Sequence, residues 1–203
     1  MTNSAPDRAD RADRADRADL AAIIDLIPQG AKVLDLGCGD GALLTRLIAT
    51  KRVVARGVEL NEAAVRTCIT RGLSVRQGDI EEGLADYPDG AFDAVVLSQT
   101  LAYLGHPAAV VREMLRVGRL AVISFDNAGY WRTRLRMLRG DGFGASLASG
   151  EPPFRAITLA EFESFAHDLG AAVQRAAFVS HHHAAGPLPR LLAQTAIYAL
   201  AKR

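Results

Sequence analysis

The sequence has few cysteines, little net charge and no long apolar run, and each shortage excludes a class of protein. Only Cys38 and Cys68 occur among its 203 residues, which is too few for a disulfide scaffold or a zinc site built from thiolates. The formal net charge of +1 gives no global field that would attract nucleic acid or an anionic membrane. Apolar stretches stay below the roughly 20 residues that a membrane-spanning helix needs. Because the N-terminus is charged rather than signal-like, the sequence predicts a cytoplasmic protein.

A hydrophobic content of 49% and a charged content of 23% are typical of a globular chain. The segment before Leu20 differs, because the triplet Arg-Ala-Asp repeats strictly from Arg8 to Asp19. On a helix this period advances about 300° per step, so the alanines spiral around the helix and form no apolar face. We therefore predict a disordered or fluctuating tail over residues 1–19 and a single domain over residues 20–203. A partner-binding arm is the alternative interpretation of the tail.

After the tail, short apolar runs alternate with segments of helical periodicity. Repeated β-α units of this kind indicate a parallel sheet with right-handed crossovers and helices on both faces. The last two apolar runs are joined by a loop, which predicts an antiparallel pair at the end of the sheet. The seven predicted strands are Ala31–Leu36, Val53–Glu59, Leu73–Asp79, Phe92–Ser98, Leu120–Phe125, Ala171–Ser180 and Leu191–Leu200.

Helix starts are marked by capping residues. Asn61 is a predicted N-cap, Pro107 suits the first position of a helix, and Thr158 begins a capping box. The predicted apolar faces are Leu43, Leu44, Leu47 and Ile48 on one helix, Val65, Cys68 and Ile69 on the next, Val110, Val111, Met114 and Leu115 on a third, and Leu159, Phe162, Phe165 and Leu169 on a fourth. The arginine-rich helix that starts at Trp131 has two interpretations, an amphipathic helix packed on the sheet or a docking surface.

A glycine-rich turn follows the first predicted strand. Gly37, Gly39 and Gly41 let the backbone turn sharply and approach a ligand, and the amides of the next helix point at a negative group. Glu59 ends the second strand at the spacing expected for a carboxylate that binds ribose; the alternative is a surface acid at a helix N-terminus. Asp79 closes the third strand and could accept a bond from an adenine amino group, or it could simply form a turn.

The charges near this turn distinguish between two nucleoside ligands. Dinucleotide sites have the pattern Gly-x-Gly-x-x-Gly, whereas this chain has the tighter Gly37-x-Gly39-x-Gly41. Asp35 and Asp40 bracket the turn and would repel a pyrophosphate. They would attract the ammonium and sulfonium groups of S-adenosylmethionine, which is therefore favoured over NAD.

The glycine-rich turn and several other segments resemble a known family. Leu34–Gly41 is similar to the first motif of class I S-adenosylmethionine-dependent methyltransferases. Other segments resemble the methionine biosynthesis protein MetW, namely Val58-Glu59, Gln77–Ile80, Glu82–Leu84, Phe92-Asp93, Leu97–Leu101, Glu113–Arg119 and Tyr130–Arg132. The resemblance extends from about Ile27 to the C-terminus and departs over Gly150–Ile157. It implies a Rossmann-like α/β fold of the class I methyltransferase type, with a mostly parallel seven-stranded sheet, helices on both faces and an antiparallel C-terminal strand.

The resemblance also implies a site, a ligand and a partner. The ligand is S-adenosylmethionine or S-adenosylhomocysteine, and the suspected partner is the homoserine O-acyltransferase MetX; neither nucleic acid nor a membrane is expected. The alternative is a catalytically active methyltransferase that acts on a small molecule. The predicted cofactor-binding residues are Asp35, Gly37, Cys38, Gly39, Asp40, Gly41, Glu59, Leu60, Asp79, Ile80 and Ser98.

No residue is predicted with a catalytic role or as a metal ligand. Ser98–Leu101 follows the fourth strand without a strong base, and His106 could act as a base or cap the helix that Pro107 starts. His181, His182 and His183 alternate in direction if extended, so we interpret them as loop histidines rather than as a metal site. Gly140–Pro153, rich in glycine and proline, is predicted to form a long loop or lid.

Overall fold

The computed structural model describes residues 18–140, 155–180, 183–184 and 188–203. Within these residues one sheet has the strand order β3-β2-β1-β4-β5-β8-β6-β7. The strands are β1 (Lys32–Leu36), β2 (Val54–Glu59), β3 (Val75–Gln77), β4 (Phe92–Ser98), β5 (Gly118–Asp126), β6 (Ala171–Ser180), β7 (His183–Ala184) and β8 (Thr195–Lys202). The helices are α1 (residues 18–26), α2 (Ala42–Lys51), α3 (Glu62–Thr70), α4 (Pro107–Val117), α5 (Trp131–Leu138), α6 (Leu159–Asp168) and α7 (Pro189–Leu192), with short 3₁₀ helices at Ile80–Glu82 and Leu101–Tyr103.

Strands β1 to β5 pair in parallel, whereas β8 pairs antiparallel with both β5 and β6. This arrangement confirms the predicted class I methyltransferase fold, to which the two-residue β7 adds an eighth strand. The largest boundary error is in the last strand, which begins at Thr195 rather than Leu191 because Pro189 starts the single helical turn of α7. The third strand is also shorter than predicted, at three residues.

Alternation along β1 determines which side chains reach each face of the sheet. Leu34 and Leu36 pack in one core cluster with residues of α4 and α6. Val33 belongs to a second cluster, formed with residues of α1 and α2. Because side chains alternate along a strand, Asp35 shares the face of Val33 and lies under α1 and α2. Helices therefore cover both faces, as predicted, and a buried acid lies on the face that α1 and α2 cover.

The predicted helix starts are confirmed. The side chain of Asn61 accepts a hydrogen bond from the amide of Ala64, Pro107 is the first residue of α4, and Thr158 forms a complete capping box with Glu161.

Some predicted core positions lie at the edge of their helices. Ile48 is 41% exposed and Ile69 is 58% exposed, so neither is part of the core. Phe165 and Leu169 are only partly buried against the α6 side of the core. Each of these residues lies at the margin of an apolar helix face whose centre faces the sheet. The prediction from periodicity therefore included marginal positions in the buried face.

The predicted helix at Trp131 is present as α5, but none of its residues is buried. Trp131 is 40% exposed and Leu138 is 85% exposed, so the apolar stripe of α5 does not enter the core. Several predictions lie outside the described residues: the repeat up to Arg17, the lid after Gly140, and His181 and His182. The division between tail and domain stays a prediction, and α1 begins within the last triplet of the repeat.

Candidate functional site

The loop between β1 and α2 takes a backbone conformation that favours glycine. Gly37, Gly39 and Gly41 have φ values of 71°, 54° and 80°, in the left-handed region that other residues rarely adopt. Space is limiting as well. A Cβ at Gly37 would lie 2.9 Å from Oγ1 of Thr100, and a Cβ at Gly41 would overlap the side chain of Leu73. Gly37 and Gly41 therefore need glycine for both conformation and packing, and Gly39 needs it for conformation alone.

Glu59, at the end of β2, is fixed beside this loop. One carboxylate oxygen accepts a 2.9 Å hydrogen bond from the amide of Gly39, and the other accepts a 2.8 Å bond from the amide of Asn61. A carboxylate has about four acceptor positions, so each oxygen keeps a lone pair for a further donor. The side chain is half-buried and bonds to the glycine loop, and its ribose-binding role stays a prediction.

Asp35 is the most perturbed acid of the site. It is only 2% exposed, and its Oδ1 has no hydrogen-bond partner. Burial, with a smaller contribution from the nearby Glu59 carboxylate, raises the pKa of Asp35 to about 8. The side chain is therefore mostly protonated at neutral pH, unless a cation lies beside it.

Asp35 lines a cavity of about 660 Å³ between the glycine loop, α1 and α2. Six of the predicted site residues line this cavity: Asp35, Gly37, Cys38, Gly39, Asp40 and Ser98. The cavity is also lined by six residues that were not predicted to bind the cofactor: Asp19, Leu20, Ala42, Leu43, Arg46 and Gln99. Asp19 ends the repeat and Arg46 lies on the polar side of a predicted helix. No local sequence feature therefore indicated that either residue belongs to the site.

The other predicted residues, Glu59 among them, are absent from the described residues that line the cavity. Gly41 closes the turn, Ile80 is buried in the core, and the side chain of Leu60 is exposed. The side chain of Asp79 accepts a 2.8 Å bond from the amide of Glu81, so it forms the turn that starts a 3₁₀ helix. Its role as an adenine acceptor stays a prediction.

Two polar residues at the cavity have partners within the protein. The carboxylate of Asp40 forms a 2.9 Å ion pair with Arg71, which partly neutralises one of the two acids expected to attract a cation. The hydroxyl of Ser98 lies 3.2 Å from that of Ser124.

The two cysteines also lie at this loop, and both are buried. The thiol of Cys68 donates a 3.3 Å hydrogen bond to the carbonyl of Gly39. Burial raises the pKa of both thiols, so both stay neutral and suit a packing role.

Comparison with known proteins now gives the family. The family model described as "Methionine biosynthesis protein MetW" matches residues 17–200. This chain belongs to the MetW family. A relative from Rhodopirellula baltica, named bifunctional methionine biosynthesis protein MetXA/MetW, is 37% identical over 121 residues, which are 56% of this chain and 19% of that protein. A ubiquinone biosynthesis O-methyltransferase from Methylococcus capsulatus is 36% identical over 95 residues, which are 44% of this chain and 40% of that protein.

These matches span less than half the length of either relative. Solved structures extend the comparison of the fold to almost the whole MetW-family chain. A methyltransferase from Haloferax volcanii, in complex with its activator Trm112, has a TM-score of 0.68 at 17% identity and covers 96% of this chain and 94% of that one. Magnesium protoporphyrin IX methyltransferase from Synechocystis with bound SAH has a TM-score of 0.69 at 14% identity and covers 100% of this chain and 90% of that one. Identities this low show the fold alone.

The candidate acceptor side of this MetW-family site holds little acid-base chemistry. His106 precedes α4 and is exposed; its backbone amide donates to Glu81, but its side chain makes no capping bond. His106 and Tyr103 are absent from the described residues that line the cavity. The described residues contain no cluster of three His, Cys, Asp or Glu side chains arranged for a metal ion. None of the helices in the described ranges is long and apolar enough to cross a membrane.

Proposed function

We propose that this MetW-family chain binds S-adenosylmethionine or S-adenosylhomocysteine beside the glycine loop and supports homoserine O-acyltransferase (MetX) by protein contact. The main support for this ligand is the buried carboxyl of Asp35, which lines the cavity and has one oxygen without a hydrogen-bond partner. Such a group is costly to bury unless a ligand supplies a donor or a cation. The ammonium group common to both ligands supplies one.

Glu59 supports the same ligand at its sugar. Two backbone amides hold the carboxylate, and each of its oxygens keeps a lone pair for one of two neighbouring ribose hydroxyls. The methyltransferase neighbours determined with SAH or SAM share this fold, which agrees with a ligand of that type.

Calorimetric titration of the purified protein with both ligands tests the proposal. We expect the Glu59→Gln variant to bind about 5- to 100-fold more weakly, because glutamine keeps the size of the side chain but loses one acceptor and the charge. Glu62→Gln is the matched control, since Glu62 is an exposed acid in the first turn of α3. If neither ligand binds the wild-type protein, the ligand assignment is wrong.

The partner assignment is supported by the relative whose name joins MetXA and MetW. We expect co-expression with the homoserine O-acyltransferase of the same host to give a complex that purifies together and acylates homoserine faster than the acyltransferase alone. Ligand binding would regulate this contact only if the free and partner-bound forms differ in ligand affinity. Separate elution of the two proteins, with unchanged acyltransferase activity, would refute the partner. A cytoplasmic location remains part of the proposal.

A methyltransferase acting on a small molecule is the second candidate. It is supported by the match to O-methyltransferases of ubiquinone biosynthesis. In that case methyl-labelled S-adenosylmethionine would transfer label catalytically to a metabolite in a host extract. We expect no turnover, because the described residues of the cavity include no histidine or lysine and its most perturbed acid, Asp35, is assigned to the ammonium group of the ligand.

A further inference from the structure

Helix α5 turns its apolar residues toward solvent and a polar residue toward the protein. Thr133 is half-buried, whereas every other residue of the helix is exposed. With about 100° between successive residues, Trp131, Leu135 and Leu138 lie on the face opposite Thr133. A helix on the surface of a globular protein normally turns its apolar stripe to the core. The opposite orientation of α5 indicates a surface that another molecule covers.

The turn before α5 fixes this orientation. The side chain of Asn127, which is 3% exposed, accepts a 2.9 Å hydrogen bond from the amide of Gly129 and donates a 2.9 Å bond to the carbonyl of Ala193. Nε of Arg134 donates a 2.8 Å bond back to the carbonyl of Gly129. Because the helix is held in place, a partner would meet a surface that is already formed and would pay little to order it.

The arginines beside the apolar stripe have no acidic partner. Arg132, Arg136 and Arg139 lie about 80° to 140° around the helix axis from Trp131, along one side of the stripe. The guanidinium of Arg132 lies 5.2 Å from the centre of the Trp131 ring. Among the described residues no carboxylate forms an ion pair with these three arginines. The face therefore combines an apolar centre with positive charge along one side.

This combination suits the acidic surface of a protein. The planar guanidinium matches the geometry of a carboxylate, and tryptophan and arginine are enriched among the residues that dominate protein interfaces. A second copy of this chain would bring arginines against arginines. A membrane would gain little from three apolar side chains on a helix of eight residues, because such binding scales with the apolar area that is buried.

We propose that the exposed face of α5 docks onto an acidic surface of the homoserine O-acyltransferase. The apolar stripe forms the centre of the contact, and the arginines pair with carboxylates at its rim. The inference rests on the proposed function, because it takes the partner from there and assigns the surface. No residue of α5 is among the described residues that line the cavity, so ligand and partner use different parts of the molecule.

Binding of purified variants to the immobilised acyltransferase of the same host tests this surface. We expect Arg136→Glu to bind about 10- to 100-fold more weakly and Leu138→Ser at least about fivefold more weakly. Arg112→Glu and Ile69→Ser are the matched controls, because both residues are exposed on other helices, and they should stay within about twofold of wild type.

Salt dependence and ligand binding give two independent readouts. Raising the salt from about 50 mM to about 300 mM should weaken the contact more in the wild-type protein than in Arg136→Glu, because the variant has lost part of the charge attraction. Both α5 variants should bind S-adenosylmethionine as the wild-type protein does, and thermal unfolding verifies that they are folded. Loss of ligand binding together with the contact would overturn the assignment, since the variants would then act through the ligand site.

The outcomes separate this inference from the proposed function. If the wild-type protein does not bind the acyltransferase, the proposed partner is wrong and this surface with it. If the wild-type protein binds and both α5 variants bind equally well, only the assignment of α5 is overturned. Vesicles that contain phosphatidylserine test the membrane alternative. Vesicle binding that both variants lose, with unchanged affinity for the acyltransferase, would assign the face to a membrane and overturn the inference.

Discussion

Replacing Asp35 by asparagine is expected to remove a pH dependence from the stability of the protein. In the folded chain the carboxyl is buried, and its pKa is about 8 instead of the ordinary 3.8. The folded state therefore keeps a proton that the unfolded state releases. Between those two pH values the unfolded chain binds fewer protons, so stability falls as the pH rises. Asparagine has a similar shape and no proton to release.

The size of the effect follows from the shift. Each pH unit between the two pKa values lowers the free energy of unfolding by about 1.4 kcal/mol. Going from pH 5 to pH 7 should therefore cost the wild-type protein about 3 kcal/mol through this one group. That is a substantial fraction of the roughly 5–15 kcal/mol that stabilises an ordinary domain.

Urea unfolding at pH 5, 6 and 7, without ligand, measures this difference. Other titrating groups also contribute, so the informative quantity is the difference in slope between wild type and Asp35→Asn. Asp25→Asn is the matched control, because Asp25 is an exposed aspartate on α1. We expect the control to keep the wild-type slope and Asp35→Asn to lose about 1.4 kcal/mol of pH dependence per unit. Equal slopes in all three proteins would refute the argument that burial keeps Asp35 protonated.

Three further predictions follow from the same geometry. S-adenosylmethionine should bind up to about tenfold more tightly per pH unit as the pH rises toward 8, because the cation of the ligand favours ionised Asp35. Calorimetry in two buffers of different ionisation enthalpy should detect close to one proton released on binding at about pH 6.5. Binding without proton release would contradict the prediction. Gly57→Ala should lower the free energy of unfolding, measured by urea titration, by about 1–3 kcal/mol, because the added Cβ would lie 2.6 Å from Sγ of Cys38. Gly78→Ala is the control and should lower it less, because the nearest atom to its Cβ would lie 3.6 Å away. Thr158→Ala should cost about 1 kcal/mol by removing the N-cap of α6, and an unchanged urea midpoint would show that the cap is dispensable.

Much of the fold could be predicted because its signals are local. The strand Phe92–Ser98 was predicted to the residue, since a fully buried parallel strand reads as a continuous apolar run. Asn61, Pro107 and Thr158 mark helix starts through bonds or dihedral angles within one turn. The glycine loop was found for the same reason. Its turn has positive φ at three glycines, and this leaves a sequence pattern that does not depend on the rest of the chain.

Features that depend on distant residues could not be predicted in this way. The partner of Asp40 is Arg71, which lies 31 residues further along the chain. That Arg46 lines the same cavity as Asp35 depends on how α2 packs against β1, and no local spacing records that packing. Asp19 was hidden in a repeat whose period suggests no buried face, although this residue is only 5% exposed.

The position of β8 has a consequence for how the chain acquires its structure. This strand is made last among the eight, yet it lies between β5 and β6 and bonds to both. Until Thr195–Lys202 has left the ribosome, β6 has no neighbour that connects it to the remainder of the sheet. We therefore expect a nascent chain to form β1 to β5 as a partial sheet in which the edge of β5 is unpaired. This edge is prone to aggregation and to chaperone binding until β8 has been synthesised and pairs with it.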